Sequence, residues 1–438
     1  MAAAADHLIE ARWVIPVDPP RAVLQDHTVV VAGERILEVL PAQTARDRYP
    51  AVRRTELPGH ALIPGLINLH THAAMTLMRG LADDRALMDW LQNHIWPTEQ
   101  RHVSEAFVHD GTLLACAEML RGGITCFNDM YFFPGAAGRA TLAAGMRAAL
   151  GIIAIEMPSV YAADAQDYLS KGLSTRDDLK GEPLLSFCIA PHAPYTVSDK
   201  TFERIAMLQG ELDLPLHIHV HETRGEIEES VARHGVRPLA RLQRLGLVDA
   251  NLIAVHAVHL TEQESALLAE KGCHIAHCPS SNLKLASGFE PPSRLLKAGV
   301  NVALGTDGAA SNNRLDLFTE MRIASLIAKG AASDPTTLPA HEVLEMATVR
   351  AARALGLDSQ IGTLTPGKLA DIAAVNFDAL ELAPCYDPLS HLVYAAGREH
   401  VSHVWVSGET LLENGTLTRI DAREVAAKAA YWKAKIRG

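Results

Sequence analysis

The chain has 438 residues, of which 48% are hydrophobic and 21% are charged, and this composition excludes a disordered protein. The formal net charge is −11 and no basic stripe occurs, so we expect no nucleic-acid partner. No apolar run reaches the ~18 residues of a membrane span, and Met1–Ala5 lacks the basic start of a signal peptide. Six scattered cysteines are typical of a reduced, cytoplasmic protein.

Residues 1–64 have the pattern of β-strands. Leu8–Val17 is rich in apolar residues, and the alternating segments Thr28–Val31 and Arg35–Leu40 flank a turn at Gly33. We therefore predict a strand and a hairpin in a first, β-rich domain segment.

From residue 65 to residue 355, short apolar runs alternate with helical stretches, which is typical of βα units and a parallel sheet. Eight runs have the length of strands: Ala61–Leu69, Ile124–Asn128, Arg147–Ile155, Leu184–Ala190, Leu214–Val220, Leu252–Val255, His274–Ala276 and Val300–Leu304. This number of strands predicts a (β/α)₈ barrel. Periodicity alone does not separate a closed barrel from an open, doubly wound sheet.

Residues 356–438 return to a β pattern. The predicted elements are a strand at Leu369–Asn376, a hairpin formed by Val401–Val406 and Thr410–Leu412, a turn at Asn414-Gly415 and a helix over residues 421–436. We expect the two β-rich ends of the chain to form one small domain beside the barrel.

Histidines and acids follow several of the predicted strands. His70 and His72 lie at the end of the first strand, and as residues i and i+2 they share one face. Active sites of such barrels lie at the carboxyl ends of the strands, and two imidazoles on one face suit Zn²⁺. The alternative is a pair of structural histidines that only make hydrogen bonds.

The fifth strand ends in His217, His219 and His221, followed by Glu222. Alternation predicts that the three histidines share one face, and it does not choose the metal ligand among them.

Two further groups end later strands. Asp307 follows the eighth strand, where a buried carboxylate must be paired or bound to a metal, although it could also cap a helix. His256 and His259 end the sixth strand, and one of them could serve in acid–base catalysis. Four strand ends therefore carry groups that converge on one side of the predicted barrel.

At these residues the sequence resembles the amidohydrolase superfamily, and more closely its branch of 5-methylthioadenosine/S-adenosylhomocysteine deaminases. The motifs that carry the resemblance are Pro64–His72, Met78–Gly80, His219–Thr223, His277–Asn282, Gly305–Gly308 and Gly367–Asp371. The resemblance implies a closed (β/α)₈ barrel with a composite β-sandwich domain from both chain ends.

The resemblance also implies one divalent metal ion per chain, usually Zn²⁺, although other divalent metals could serve. The implied ligands are His70, His72, His219 and Asp307, with His217 and His221 in supporting roles. Binuclear relatives carry a lysine after strand four, whereas Ala190–Tyr195 contains none, so a single metal is favoured.

The implied reaction is hydrolytic deamination of 5′-methylthioadenosine, S-adenosylhomocysteine or adenosine to inosine analogues and ammonia. Glu222 would protonate N1 of the ring, His256 would orient the attacking water, and Asp307 would move its proton. The residues implied to bind substrate are Glu99, His192, Glu222 and Asp307. Glu99 would accept hydrogen bonds from the ribose diol, although from sequence alone it could be a solvated helix-start carboxylate.

Other functions were weighed against this one. A guanine or cytosine deaminase, or a triazine hydrolase, is the alternative within the superfamily, and a non-enzymatic scaffold without metal is another. Gly362–Lys368 has the spacing of a phosphate-binding loop, but Leu369 follows where a hydroxyl residue is required, so we interpret it as a turn. We expect a homo-oligomer, either a dimer or a tetramer.

Overall fold

The computed structural model describes residues 4–437. Residues 1–3 and Gly438 lie outside the described residues. Residues 1–3 belong to the segment in which we expect no signal peptide. No helix within residues 4–437 is long and apolar enough to cross a membrane.

Residues 4–437 form two sheets of eight strands each. The N-terminal part contributes β1 (His7–Val14), β2 (Leu24–Ala32), β3 (Arg35–Pro41) and β4 (Arg53–Pro64). The central part contributes β5 (Leu66–Thr71), β6 (Ile124–Asp129), β7 (Arg147–Ala154), β8 (Leu185–Pro191), β9 (Leu216–Val220), β10 (Leu252–His256), β11 (His274–His277) and β12 (Asn301–Leu304). The C-terminal part contributes β13 (Ile372–Asn376), β14 (Val401–Val406), β15 (Glu409–Glu413) and β16 (Thr416–Leu417).

Helices connect these strands. In chain order they are α1 (Ala42–Arg48), α2 (Leu87–Trp90), α3 (Trp96–His102), α4 (Glu105–Arg121), α5 (Pro134–Ala144), α6 (Ala165–Leu179), α7 (Asp199–Leu212), α8 (Arg224–His234), α9 (Pro238–Arg244), α10 (Glu262–Glu270), α11 (Pro279–Lys284), α12 (Pro292–Lys297), α13 (Leu317–Ala332), α14 (Ala340–Met346), α15 (Val349–Ala354), α16 (Pro388–Tyr394) and α17 (Ala422–Arg437). Short 3₁₀ segments lie at Ala73–Met78, Leu380–Leu382 and Arg398–His400, and a π-helical turn lies at Leu91–Ile95.

The described residues fall into two compact units, and the first contains the sheet built from the chain ends. This unit comprises the described parts of Met1–Asn68, Ala117–Cys126 and Asp316–Asp421. β4 pairs in parallel with β1 and antiparallel with β13, so it joins the N-terminal strands to the C-terminal ones. One face carries an apolar core that includes Ile9 and Trp405, and α1 packs against Leu8 and Val30 on the other. The prediction that both chain ends build one sheet is confirmed.

The second sheet is the barrel. Its strands occur in chain order from β5 to β12 without reversal, and β7 to β12 pair in parallel. A doubly wound sheet would reverse its strand order. The backbone N–H of Asp307, after the last strand, donates to the carbonyl oxygen of His70 in the first, with an N···O distance of 3.0 Å. This bond links the two ends of the sheet, and the predicted (β/α)₈ barrel is confirmed.

One predicted strand is divided in the structure. The run Ala61–Leu69 supplies the end of β4 and most of β5, which belong to different sheets. Gly65 lies between them, and no larger residue fits there because a Cβ atom would lie 2.2 Å from Oγ1 of Thr125. The predicted domain boundaries after residues 64 and 355 stay a prediction.

Candidate metal centre and active site

The barrel brings the four predicted metal ligands together at the carboxyl ends of its strands. His70 lies in β5, His72 just after it, His219 in β9, and Asp307 after β12. The Nε2 atoms of His70 and His219 are 3.3 Å apart, and Oδ1 of Asp307 lies 3.3 Å from Nε2 of both His70 and His72. The donor atoms of the three histidines lie within 4.8 Å of one another.

The other ring nitrogen of each of these histidines has a hydrogen-bond partner. The Nδ1 contacts are His70 with Nε2 of His217 at 2.9 Å, His72 with the carbonyl oxygen of Met130 at 2.5 Å, and His219 with the carbonyl oxygen of His192 at 2.7 Å. The two carbonyl oxygens accept from Nδ1 of His72 and His219, and Nε2 of His217 can accept from Nδ1 of His70; in these tautomers the Nε2 atoms are the ones left for a metal. All three rings therefore present Nε2 to one point.

The charges in this cluster also suit a cation. Burial lowers the pKa of His70 to about 4 and that of His219 well below its usual value, so both rings are neutral. Burial opposes charge on His72 as well, but the hydrogen bond and charge of Asp307 raise the pKa of His72 to about 9. The buried carboxylate of Asp307 thus stabilises a positive charge beside it. A divalent metal ion would supply such a charge. Three imidazole nitrogens and one carboxylate oxygen fit the ligand preferences of Zn²⁺.

Asp307 is held as a carboxylate in one orientation. Burial alone would raise its pKa, but hydrogen bonds from His70 and His72 hold the pKa of Asp307 well below its usual range. Its Oδ2 atom accepts from Oγ of Ser281 at 2.6 Å and Oγ of Ser311 at 2.7 Å. Neither serine was among the predicted site residues. Ser281 lies in the motif His277–Asn282, and its place in that motif was the one sign in the sequence that it could belong to the site.

The three alternate histidines of strand five do not share one face, so that prediction is wrong for His221. β9 ends at Val220, and His221 has a φ of 57°, which turns its side chain away from the alternation. Its Nε2 atom accepts from the backbone N–H of Leu239 at 3.2 Å. Of these three histidines, only His217 and His219 contact His70. The assignment of His219 as the metal ligand stays a prediction.

Glu222 and His256 lie side by side next to the cluster. Nε2 of His256 is 3.9 Å from Oε2 of Glu222, and the imidazole of His256 stacks on that of His219 with 5.4 Å between centroids. Nδ1 of His256 contacts Oδ1 of Asn282 at 2.8 Å, which fixes the ring. Burial raises the pKa of Glu222. His259 instead contacts the carbonyl oxygen of Ser287 at 2.7 Å, outside this group.

Glu226 holds the backbone at Glu222 in place by hydrogen bonds. It was not among the predicted site residues. Its two carboxylate oxygens accept the backbone N–H groups of His221 at 3.0 Å and Glu222 at 2.8 Å. The backbone N–H of Glu226 donates to Oγ1 of Thr223, which begins α8. A Thr followed three residues later by Glu is a helix-start signature, and it could have indicated this contact.

A pocket opens above the cluster, and it collects the predicted substrate-binding residues. Its lining includes Glu99, His192, Glu222 and Asp307. Oε1 of Glu99, on α3, accepts from the hydroxyl of Tyr131 at 2.7 Å, and burial raises the pKa of Glu99 to about 7. The structure therefore places a carboxylate, two general acid–base candidates and the histidine cluster around one space.

A model of the amidohydrolase family matches residues 61–411. The chain belongs to the amidohydrolase family. It is 46% identical over 431 residues to the 5-methylthioadenosine/S-adenosylhomocysteine deaminase of Teredinibacter turnerae, and the match covers 98% of each chain. It is 41% identical over 411 residues to the 5′-deoxyadenosine deaminase of Methanothermobacter thermautotrophicus, covering 94% of this chain and 95% of that one.

Among solved structures, an adenosine deaminase from Xanthomonas campestris with bound zinc is similar throughout. The TM-score is 0.97 at 49% sequence identity, and the alignment covers 99% of each chain. This similarity accords with the fold and with the histidine cluster described above.

Proposed function

We propose that this amidohydrolase is a zinc-dependent aminohydrolase that converts adenine nucleosides to inosine analogues and ammonia. The proposed substrates are 5′-methylthioadenosine, S-adenosylhomocysteine and adenosine. The observation that carries the proposal is one pocket in which the His70–His72–His219–Asp307 cluster, the Glu222–His256 pair and Glu99 meet. The names of the similar proteins support the same reaction.

The proposed metal ligands are His70, His72, His219 and Asp307. A zinc ion in such a site supplies Lewis acidity, which lowers the pKa of water toward neutrality. The Nδ1 partners of the three imidazoles keep their Nε2 lone pairs aimed at the cluster, so the protein residues are oriented before a metal arrives.

Glu222 is the proposed acid for the adenine ring. Because burial raises its pKa, the carboxyl group of Glu222 holds a proton more readily than an exposed glutamate and can donate it to N1. Protonation of N1 makes C6 electrophilic and avoids a negative charge on the ring. Oγ of Ser287, 3.4 Å from Oε1 of Glu222, helps to position the group.

Asp307 and His256 are proposed to manage the water that adds to C6. Asp307 accepts one proton from the water and passes it to the amino group, which leaves as ammonia when the C6–N bond breaks. The second proton of the water leaves the C6 hydroxyl as the carbonyl forms and goes to Glu222, where it replaces the proton given to N1. His256, whose Nδ1 is held by Asn282, presents Nε2 to the water and stabilises its orientation. Two acidic groups in different surroundings can thus divide the proton transfers.

Glu99 is proposed to recognise the ribose. A carboxylate only accepts hydrogen bonds, and the 2′ and 3′ hydroxyls offer two adjacent donors. Tyr131 already donates to Oε1, which orients the group and leaves acceptor capacity for the diol. His192, in the same pocket, is a further proposed substrate contact. Free guanine, cytosine and triazines carry no diol, so Glu99 favours a nucleoside over the alternative substrates.

The test is an ammonia-release screen with zinc-loaded protein. We expect turnover of 5′-methylthioadenosine and adenosine, and little with guanine, cytosine or a triazine. The matched control is Glu222→Gln, which keeps the shape of the pocket and removes the proton donor. Faster turnover of a free base or a triazine than of every nucleoside would overturn the proposal.

We further propose a cytoplasmic location, which the buried free thiols of Cys116, Cys188 and Cys273 support. The expected homo-oligomer, a dimer or a tetramer, stays a prediction, as do the three domain segments.

A further inference from the structure

The outer wall of the pocket is apolar. Beyond Glu99 it is formed by the side chains of Leu87, Trp90, Leu91, Ile155, Met157 and Leu285. Met157 is 48% exposed although it lines the pocket, so it lies at the mouth. A substituent that passes this wall meets mainly hydrocarbon and thioether groups. The indole N–H of Trp90 and the hydroxyls of Tyr195 and Thr196, which also line the pocket, are neutral groups.

The acidic side chains that line the pocket are not matched by lysine or arginine. Its carboxylates are Glu99, Glu222 and Asp307, and none of the described residues that line it is Lys or Arg. A carboxylate that loses water needs a donor or a cation to offset the cost. A ligand carboxylate in this pocket would find neutral donors but no Lys or Arg side chain to offset its charge.

An adjoining cavity does contain arginines, but they are engaged. This cavity shares Met157, Tyr195 and Thr196 with the pocket. Arg241 binds Asp199 at 2.7 Å, and Arg233 binds Glu229 at 2.8 Å. Neither arginine lines the active-site pocket, so neither supplies the missing counter-charge there.

The proposed binding mode directs the 5′ substituent toward this wall. Glu222 and Asp307 would hold the base at the cluster, and Glu99 would hold the 2′ and 3′ hydroxyls. In a nucleoside the 5′ carbon is bonded to C4′ and projects from the face of the ribose opposite the 2′ and 3′ hydroxyls, so it leaves the ribose away from Glu99. The remaining wall of the pocket, which reaches the mouth at Met157, is then what the substituent contacts.

We propose that the pocket selects adenine nucleosides whose 5′ substituent carries no carboxylate and discriminates against one that does. The inference rests on the proposed function and narrows it. Within that substrate class, 5′-methylthioadenosine is preferred and S-adenosylhomocysteine is disfavoured.

The first experiment compares kcat/KM of the zinc-loaded enzyme for three thioethers. They are 5′-methylthioadenosine, S-adenosylhomocysteine and 5′-(3-aminopropylthio)-5′-deoxyadenosine, which is S-adenosylhomocysteine without its carboxylate. We expect S-adenosylhomocysteine to be at least about tenfold poorer than 5′-methylthioadenosine, and removal of the carboxylate to recover most of that loss, because an unpaired carboxylate is the costly group.

Equal kcat/KM for S-adenosylhomocysteine and 5′-methylthioadenosine would overturn the inference and leave the proposed function standing. An aminopropyl analogue as poor as S-adenosylhomocysteine would also overturn it, because the carboxylate would not then be the cause. Failure to deaminate any of the three, or adenosine, would instead reject the proposed function.

The second experiment changes the charge at the mouth. In Met157→Lys, Met157→Gln and Met157→Glu, the measured quantity is the ratio of kcat/KM for S-adenosylhomocysteine to that for 5′-methylthioadenosine. Relative to the Gln variant, the ratio should rise about two- to fivefold with Lys and fall with Glu, as for other partly exposed ion pairs. The shifts should shrink at high salt.

Val160→Lys is the matched control. Val160 lies three residues further along the chain, is 43% exposed and does not line the pocket. Its ratio should equal that of the wild type. A ratio that is the same in the three Met157 variants, or that shifts as much in Val160→Lys, would refute selection by charge at this wall.

Discussion

Replacement of Glu99 by glutamine tests the proposed recognition of the ribose diol. In the structure Oε1 of Glu99 accepts from Tyr131, which leaves the other lone pairs of the carboxylate for the two hydroxyls. A hydrogen bond to a charged group contributes about 1.5–3 kcal/mol. Loss of one such bond should lower kcat/KM for a riboside about 10- to 150-fold, since about 1.4 kcal/mol corresponds to a factor of ten.

The pH dependence of the same activity gives a second measure. Burial raises the pKa of Glu99 to about 7, and the ionised carboxylate is the form that accepts both hydroxyls. The wild-type advantage over Glu99→Gln should therefore grow as the pH rises through about 7. Tyr131→Phe removes a hydrogen bond that lowers the pKa of Glu99, so it should move this rise to higher pH.

The assay is kcat/KM from pH 5.5 to 9 for 5′-methylthioadenosine and its 2′-deoxy analogue, with zinc content as the control for an intact site. The variant should lower riboside turnover more than deoxyriboside turnover. Equal losses on the two substrates, or a wild type that treats them alike, would refute the role of Glu99 in reading a diol.

Three further substitutions test the metal centre and its neighbours. His70→Ala should lose zinc to a chelator, as measured by elemental analysis, because one ligand of the buried cluster is gone; full zinc retention would contradict the ligand assignment. Glu222→Gln should keep zinc but reduce kcat about 10²- to 10⁴-fold, because the proton donor is lost, and an unchanged kcat would exclude that role. In Glu226→Gln the side-chain NH₂ group replaces one carboxylate oxygen, so the backbone N–H of either His221 or Glu222 loses its acceptor. An unsatisfied buried donor costs about 1–3 kcal/mol of stability. The midpoint of thermal unfolding and kcat should both fall, and a normal kcat would show that this turn does not position Glu222.

The fold could be predicted from sequence because the strands of the barrel are buried, short and in chain order. Runs such as Arg147–Ile155 and Leu252–Val255 nearly match β7 and β10. The division at Gly65 could not be predicted, because Ala61–Leu69 is one continuous apolar run and only the pairing partners assign its two halves to different sheets. The turn predicted at Asn414-Gly415 is present in the structure. Both residues have the positive φ angles that a two-residue hairpin turn requires.

The candidate site was predictable only where side chains project from strands. His70 and His72 came from i, i+2 spacing, whereas choosing His219 required the family resemblance. The supporting groups Ser281 and Asn282 lie after β11, in a segment whose polar residues look like those of any loop. Alternation failed at His221 because it assumes an extended backbone beyond Val220, and the backbone there is not extended.

Left-handed backbone at the ends of the barrel strands is the physical reason for that failure. His221, His256 and Asp307 have φ angles of 57°, 67° and 61°, which L-residues other than glycine seldom adopt. Such residues cost about 1–2 kcal/mol each and persist where neighbouring contacts over-determine them. At His221 the contacts are the bond from its N–H to Glu226 and the bond from Leu239 to its ring. The turn aims Glu222, the next residue, into the pocket.

This reasoning predicts different behaviour for two replacements of His221. Asparagine tolerates the left-handed region, whereas valine, with its branched Cβ, does not. Both variants remove the imidazole that accepts from Leu239, so the difference between them isolates the backbone conformation. His221→Val should unfold at a lower temperature than His221→Asn and should have the lower kcat, because Glu222 moves with the turn. Zinc binding should persist in both, since His219 precedes the turn. Identical unfolding midpoints and identical kcat values in the two variants would show that the conformation of His221 does not position Glu222.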